Sequence, residues 1–229
     1  CLVGSEMCIR DRFLFGQSIY DNYGRYVGTY YVLGGDWGRG AVFAGWGTLV
    51  YTIFSLSFIP IFRRLSERIG KNRCLVLSVC VVLFSAGTTW WTFTPECPWL
   101  MLINTAFIGA GYAGLWLMLP SMQVDVVDYD ELKTGQRREG SFASIFSWIL
   151  KLSFCVGFLI SGPLLELTGF DAALGGDQGE AVYRNMRLGY IMIPVCSLLL
   201  ALLLLKFFPI DREKAAGIRQ ELEARRGAI

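Results

Sequence analysis

The chain has 229 residues, of which 54% are apolar and only 17% are charged, and its mean hydropathy is +0.46. A soluble domain carries about 25% charged residues, so this composition indicates an integral membrane protein. The net charge of +2 is too small to indicate a nucleic-acid partner, and the absence of histidine excludes imidazole catalysis and His-ligated metal sites. The cysteines form no C-x-x-C pair, so we expect neither a metal site nor a disulfide framework.

Residues 1–12 form a segment of their own in the sequence. They begin without Met, lack the long apolar stretch of a signal peptide and show no hydrophobic periodicity. The segment resembles the translated adapter sequence that contaminates assembled sequencing reads. We therefore expect it to be non-native, and the natural chain to start earlier.

Six stretches are long and apolar enough to cross a membrane, since a spanning helix needs about 20 mainly apolar residues. The predicted spans are residues 13–33, 41–62, 74–93, 99–122, 141–167 and 188–208. The first is the weakest, because it carries Asp21 and Arg25. The sequence thus predicts an all-α transmembrane bundle over residues 13–208 and a charged tail, 209–229, with the mixed charge of a solvated surface helix.

Lysine and arginine are distributed unevenly between the two sides of the predicted bundle. The connections after the second and fourth spans and the tail are rich in both, whereas the opposite connections carry only Arg39, Arg184 and Arg187. Basic residues are retained on the cytoplasmic side of a membrane. We therefore predict a multi-pass protein of the inner (plasma) membrane with a cytoplasmic C-terminus.

The segment Gly109–Gly114 matches the pattern G-x-G-x-x-G of dinucleotide-binding loops. That function requires a preceding strand and a turn, and this segment lies inside an apolar span. Small residues four apart instead favour close packing between membrane helices. We predict that Ala106, Ala110 and Gly114 form a packing face.

Lys151 lies in the fifth span, about ten residues after Ser141. This corresponds to about 15 Å at 1.5 Å per residue, near the middle of a hydrocarbon core about 30 Å thick. Ser144, Ser147 and Trp148 share its helix face. An ammonium at this depth faces a wet cavity or a partner, which predicts a substrate or ion pathway. A buried structural ion pair is the alternative.

Two other spans carry polar or aromatic residues at a similar predicted depth. Trp116 precedes Asp125 by nearly the same distance, and Arg25 lies about nine residues, or about 13 Å, before the break at Gly34. Asp21 is one helical turn from Arg25. Three helices would then place such groups at one level, which suits a sugar. The alternative is a self-contained Asp21–Arg25 pair on one helix.

A dense block of charges of both signs, residues 119–140, separates the fourth and fifth spans. Asp125 and Asp128 lie near the end of a helix, where the helix dipole disfavours negative charge. They need cationic partners, for which Arg137 and Arg138 or arginines elsewhere in the protein are candidates. Solvated loop charges are the alternative.

The stretches 125–131 and 134–140, with Lys151 after them, resemble the glycoside-pentoside-hexuronide:cation symporter family of the major facilitator superfamily. Weaker agreement extends over residues 12–229. The resemblance implies that the chain is the C-terminal half of a twelve-helix transporter, with six helices in two inverted three-helix repeats. It also implies that the coupling cation, Na⁺ or H⁺, is bound by the N-terminal half, with no other cofactor.

The resemblance further implies roles for individual residues. Lys151 and Trp116 match the family's midplane sugar contacts, and other candidates follow from their depth or helix face. The candidate substrate-binding residues are Lys151, Trp116, Arg25, Asp21 and Trp148. The residues implied in a cytoplasmic gate between the two halves are Asp125, Asp128 and Arg137.

The predicted function is therefore cotransport of a sugar with a cation by alternating access. The expected partners are the sugar, the cation, the lipid bilayer and the N-terminal half of the same protein. A lysolipid transporter of the same superfamily, with Lys151 as a headgroup contact, is one alternative. A six-helix membrane enzyme is another, although the sequence shows no catalytic constellation and no catalytic residue is predicted.

Overall fold

The computed structural model describes residues 2–206 and 212–227, and every regular element in these ranges is helical. The longer helices are α1 (Leu2–Tyr26), α2 (Trp37–Ile69), α3 (Lys71–Thr92), α4 (Leu100–Thr134), α5 (Glu139–Leu167), α6 (Glu180–Leu205) and α7 (Arg212–Arg226). A π-helical segment, Val27–Val32, continues α1, and a short 3-10 turn, Ala172–Leu174, precedes α6. The predicted all-α class is confirmed.

Five helices, α2 to α6, are long and apolar enough to cross a membrane. The predicted number of six spans is not confirmed, because α1 does not meet the same criterion within the described residues. It nevertheless packs inside the bundle, with Leu14, Ile19 and Tyr23 almost fully buried. The last predicted span ends at residue 208, and its residues 207 and 208 lie outside the described ranges.

The charged stretches that were predicted to face the cytoplasm are largely helical, where the sequence suggested loops and a hairpin end. Helix α2 continues to Ile69 and stops at Gly70, whose φ of 88° favours glycine. Helix α4 continues to Thr134, and Gly135 ends it in the left-handed conformation while donating its N–H to the Glu131 carbonyl oxygen. The block 119–140 is therefore mainly the last turns of α4.

The helices contact one another in two groups. In the first group α1 packs on α5 and α6, and in the second α4 packs on α2 and α3. Helices α3 and α6 join the groups. We call this pattern crosswise, because α1 contacts the two helices that follow α4, and α4 contacts the two helices that follow α1.

Small residues allow α4 to approach its neighbours closely. A Cβ on Gly114 would lie 2.0 Å from Ser78 Oγ, one on Gly111 2.5 Å from Val82 Cγ2, and one on Gly109 2.7 Å from the Tyr51 carbonyl oxygen. Gly114 thus packs as predicted and Ala110 is buried, whereas Ala106 is only partly buried and the other two close approaches are made by Gly109 and Gly111.

The charged tail is not simply a solvated helix. Ile218 and Leu222 of α7 are buried, and α7 packs against α4. Arg225 donates a hydrogen bond to the Leu132 carbonyl oxygen at 3.1 Å. The tail therefore packs against the charged end of α4.

Residues 2–12 continue α1 in the same helix. Ser153 of α5 donates a hydrogen bond to the Asp11 carboxylate at 2.7 Å. The helical conformation does not bear on the origin of this segment, which stays a prediction.

Candidate functional site

Asp125 lies at the centre of a charge cluster formed with Lys71 and Arg219. Its side chain is only 6% exposed, and it lies 2.5 Å from Lys71 Nζ and 3.4 Å from Arg219 Nη2. Lys71 Nζ also donates to the Ser121 carbonyl oxygen at 3.0 Å. The turn at Gly70 places Lys71 beside α4, and the packing of α7 places Arg219 there. The cluster thus connects the start of α3, the charged end of α4 and α7.

The sequence predicted a need for cations here but named different candidates, Arg137 and Arg138. Both lie beyond the turn at Gly135, where they bind other carboxylates. A signal for Lys71 was present in the sequence, because it follows a helix-breaking glycine in a basic connection on the same side of the membrane. Arg219 had no comparable signal, since only the docking of α7 brings it near.

Two arginines pair with acidic residues around the connection between α4 and α5. Arg138 donates to both carboxylate oxygens of Asp130, at 2.7 and 3.0 Å. Arg137 donates to Glu139 at 3.0 Å and lies 3.5 Å from Glu131. The hydrogen bond that Arg137 donates to Glu139 raises the pKa of Arg137, which keeps its guanidinium charged.

The three residues predicted for the gate are not brought into mutual contact. Asp128 is partly exposed and forms no ion pair with another residue of the described ranges. Arg137 is paired with glutamates rather than with Asp125 or Asp128. A gating role for these residues stays a prediction.

The charge cluster lies in the wall of an open cleft. A cleft of about 870 Å³ opens between the α2–α3 turn and α7, and Asp125, Lys71 and Arg219 contribute to its wall. Water and ions can therefore reach the charges. Within the described residues, no three Cys, Asp or Glu side chains come together as a potential metal site.

The candidate substrate-binding residues lie on exposed surfaces of the bundle. We refer to Lys151, Trp148, Trp116, Asp21 and Arg25 together as the substrate face. Lys151 is exposed, as are Ser144 and Ser147 on the same side of α5. Trp148 is 69% exposed and Trp116 37%. The predicted polar and aromatic stripe on α5 is confirmed as an uncovered surface.

None of the charged residues of the substrate face forms a salt bridge within the described parts of the chain. Lys151 forms neither an ion pair nor a hydrogen bond there, so the buried ion pair considered for it is not formed between those residues. Asp21 and Arg25 are both exposed and form no salt bridge, although their opposite charges, one helical turn apart, interact electrostatically. The self-contained pair considered for α1 is therefore a longer-range attraction rather than a direct contact.

The contacts between α1 and α5 show that Arg25 and Lys151, the two cationic residues of the substrate face, lie at different heights along the bundle. The two helices run in the same direction, because Ser153 contacts Asp11 whereas Gly157, further along α5, lies beside Ser18. Ser18 Oγ also donates to the Phe154 carbonyl oxygen at 3.2 Å. Arg25 lies seven residues beyond this contact and Lys151 three before it. At 1.5 Å per residue, about 15 Å separates them along the helices. The prediction that both lie at one level is wrong.

This difference in height divides the substrate face into an inner part, on the side of the charge cluster, and an outer part, on the opposite side. Helix α4 runs opposite to α1, because Tyr20 bonds Asn104 whereas Phe13 packs edge-on against Tyr112. Trp116 therefore lies on the same, inner side of the α1–α5 contact as Lys151 and Trp148. Asp21 and Arg25 form the outer part.

The chain matches the family described as MFS/sugar transport protein over residues 24–212. An uncharacterized symporter from Synechocystis sp. is 31% identical over 78% of this chain and 34% of its own length. The glucuronide carrier protein homolog of Escherichia coli is 26% identical over 78% of this chain and 38% of its own length. The sodium-dependent lysophosphatidylcholine symporter 1 of Homo sapiens is 31% identical over 52% of this chain and 21% of its own length.

The chain thus spans well under half the length of these relatives. The family match covers most of the chain and includes Arg25, Trp116 and Lys151. It confirms the resemblance that the charged block and Lys151 indicated. The chain belongs to the MFS/sugar transport protein family of multi-pass membrane transporters.

Proposed function

We propose that this chain is the C-terminal half of a twelve-helix transporter that carries a sugar together with a cation by alternating access. Membership of the family supports transport, and the partial coverage of the relatives supports a second half of similar size. The crosswise packing of the two helix groups is what inverted three-helix repeats would produce. The bundle would occupy residues 13–208, and residues 209–229 would form a cytoplasmic tail.

The exposure of α2 and α5 supports this assembly. In the most apolar 18 consecutive residues of each helix, no residue of α2 is buried and 17% of those of α5 are buried. The corresponding share is 33% or more in α3, α4 and α6. Helices α2 and α5 directly follow α1 and α4, the two helices that pack crosswise, so they would occupy equivalent places in the two proposed repeats. The proposed N-terminal half would cover these two helices and enclose the substrate face.

The observation that carries the proposed function is the unpartnered ammonium of Lys151 on an apolar helix. A charge in the membrane without a structural partner is retained for a substrate or an ion. Lys151 would donate hydrogen bonds to sugar hydroxyls or to a hexuronate carboxylate, and Trp116 and Trp148 would pack against the apolar face of the ring. Asp21 and Arg25 would contact the outer end of a longer glycoside.

The charge cluster would act in the conformational cycle. Asp125, Lys71 and Arg219 hold the cytoplasmic helix ends together in one state, while Asp128 and Arg137 would offer charges to the other half. The coupling cation, Na⁺ or H⁺, would bind in the N-terminal half. The protein would lie in the inner membrane with α7 in the cytoplasm, in agreement with the basic residues on that side.

The test is uptake by liposomes that contain the full-length transporter. We expect accumulation of a radiolabelled glycoside or glycuronide when a Na⁺ or proton gradient is imposed, and no accumulation without a gradient. Lys151→Ala should abolish most of the uptake. Equal accumulation with and without both gradients would contradict symport.

A lysolipid substrate is the second candidate, since the lysophosphatidylcholine symporters are similar to about half of the chain. Lys151 would then contact the phosphate of the headgroup. The same liposomes distinguish the two candidates when they are offered labelled lysophosphatidylcholine beside the glycosides. Gradient-dependent uptake of the lipid alone would replace the sugar proposal.

A further inference from the structure

A buried amide joins the two helix groups near the outer part of the substrate face. Asn104 of α4 is only 1% exposed. Its Nδ2 donates to the Ser85 carbonyl oxygen at 2.7 Å and to Thr89 Oγ1 at 3.0 Å, both on α3. Its Oδ1 accepts a hydrogen bond of 2.9 Å from the Tyr20 hydroxyl on α1. The Nδ2 and Oδ1 atoms of the amide therefore both take part in hydrogen bonds, and the amide connects α1 to the second helix group.

Tyr20 is held from a second direction as well. Its ring stacks on that of Tyr190 of α6, with centroids 4.6 Å apart and an angle of 22° between the planes. The next residue along α1, Asp21, is exposed on the substrate face. The contacts of Tyr20 therefore determine the direction in which this part of α1 presents its exposed side.

The outer end of α1 is held at another point, in the π-helical segment Val27–Val32. Arg187 of α6 donates to the Tyr31 hydroxyl at 3.0 Å and to the Trp90 carbonyl oxygen. Its guanidinium lies 4.8 Å from the centre of the Tyr31 ring and 4.1 Å from that of Trp90. Such cation–π contacts are strongest where water is excluded. The segment is thus attached to α3 and α6 together.

We propose that the Tyr20–Asn104 and Tyr31–Arg187 contacts are positioning contacts that hold residues 20–31, the end of α1 and the π-helical segment after it, as a strut. The strut presents Asp21 and Arg25, which lie between the two attachment points, to the transported molecule. This inference rests on the proposed function for the role of Asp21 and Arg25. The strut itself follows from the two sets of contacts.

The physical reason for such contacts lies in the environment of a membrane helix. Apolar packing is non-directional, and lipid surrounds such a helix with a medium as apolar as its own side chains. A helix held by apolar packing alone can rotate at small cost, whereas hydrogen bonds are directional. A displacement of about 1 Å in a binding residue can lower a rate about 100-fold. Asn104 and Arg187 would limit that displacement without touching the substrate.

The chain provides a matched pair of substitutions on one helix. Tyr20→Phe removes a hydroxyl that donates to Asn104, while the ring remains on Tyr190. Tyr23→Phe removes the same group three residues later, where the buried hydroxyl has no hydrogen-bond partner in the described ranges. We expect Tyr20→Phe to raise the half-saturation concentration for the transported glycoside about tenfold, by the scale of binding free energies. Tyr23→Phe should leave it unchanged.

A second readout reports the rotation of α1 without requiring transport. In full-length protein with its native cysteines replaced by serine, Arg25→Cys and Ser144→Cys provide single exposed thiols on α1 and α5. We expect Tyr20→Phe to change the rate of reaction of the Arg25→Cys thiol with a membrane-impermeant reagent at least threefold. The rate at position 144 should stay constant, and Tyr23→Phe should change neither rate.

Asn104→Leu and Arg187→Lys test the two attachment points independently. Asn104→Leu removes the bond to Tyr20 together with those to Ser85 and Thr89, so it should alter the labelling of position 25 at least as much as Tyr20→Phe. The double variant should be no worse than Asn104→Leu alone, because both substitutions remove the same Tyr20–Asn104 bond. Arg187→Lys keeps the charge but cannot reproduce the contacts of the planar guanidinium, so it should also change that rate. Equal labelling in Tyr20→Phe and Tyr23→Phe, or additive effects of Tyr20→Phe and Asn104→Leu, would overturn the inference. Absence of glycoside uptake with altered labelling would instead reject the proposed function alone.

Discussion

The charges of the charge cluster and of the α4–α5 connection form salt bridges, whereas the charges of the substrate face do not. In the first region Asp125, with its side chain 6% exposed, lies beside two cations, and Asp130 binds an arginine through both oxygens. On the substrate face Lys151 and Arg25 form no salt bridge with a described residue, and Lys151 lies between Leu150 and Leu152.

This difference distinguishes charges that stabilise the fold from charges that are available to bind a molecule outside the chain. A buried carboxylate needs its partners for stability, because an uncompensated charge in a poorly solvated place is costly. An exposed ammonium in a membrane helix costs less when a water-filled cavity surrounds it, and it remains free to bind. Substitutions in the two regions should therefore affect stability and transport differently.

The largest effect on stability is expected for Lys71→Met. It removes the nearest partner of Asp125 and should lower the free energy of unfolding by about 3 kcal/mol, or the Tm by roughly 6–12 °C. Thermal melting of the purified protein in detergent measures the change. Combining Lys71→Met with Asp125→Leu should recover part of the loss, since the unpaired carboxylate is then gone. A double variant less stable than the single one would contradict this account.

Lys151→Met should produce the opposite result. The ammonium stabilises nothing within the described residues, so the Tm should shift by less than about 2 °C, which corresponds to under 1 kcal/mol. Uptake should fall more than about tenfold, because a binding contact worth over 1.4 kcal/mol is lost. Lys206→Met, at an exposed lysine at the end of α6, is the matched control. A loss of Tm as large as that of Lys71→Met would place Lys151 among the structural charges.

Arg138→Lys should have a smaller effect than either. The lysine keeps the charge but cannot bind both oxygens of Asp130, and the loss should be about 1 kcal/mol at this half-exposed site. The melting curve should show a shift of a few degrees. A shift near zero would mean that the α4–α5 connection is solvated rather than held by its arginines.

Arg63→Gln should have the smallest effect. Arg63 and Glu67 form an exposed pair one turn apart, with side chains 77% and 66% exposed. Such surface pairs contribute less than about 0.5 kcal/mol and weaken as salt is added. Melting at low and high ionic strength should be indistinguishable from that of the unmodified protein. A loss comparable to that of Lys71→Met would show that burial does not explain the difference between the pairs.

Several features of the fold could be predicted from local sequence. The apolar stretches that became α2 to α6 follow from length and composition, because a spanning segment must satisfy its backbone internally as a helix. Helix ends were less accessible to prediction. Residues 63–69 and 123–134 are charged and read as connections, yet they continue their helices until Gly70 and Gly135 stop them. Charged residues with good helix propensity extend a helix into water without changing its backbone.

The candidate site illustrates a similar division. Trp148 and Lys151 share a helix face by their spacing alone, and that stripe could be predicted. The level of Arg25 could not, because counting residues from a helix end ignores how far each helix extends beyond the membrane. Likewise the partners of Asp125 come from α3 and α7, which are distant in sequence.

The sequence by itself determined the membrane class of this protein, its helical spans, its family and the polar stripe around Lys151, because each of these depends on composition, local periodicity or a contiguous motif. Only the tertiary structure decided which charges are paired, how α1 is held by Asn104 and Arg187, and how far Arg25 lies from Lys151. These properties depend on the register between helices. That register is set by glycine contacts and buried hydrogen bonds between residues far apart in the chain.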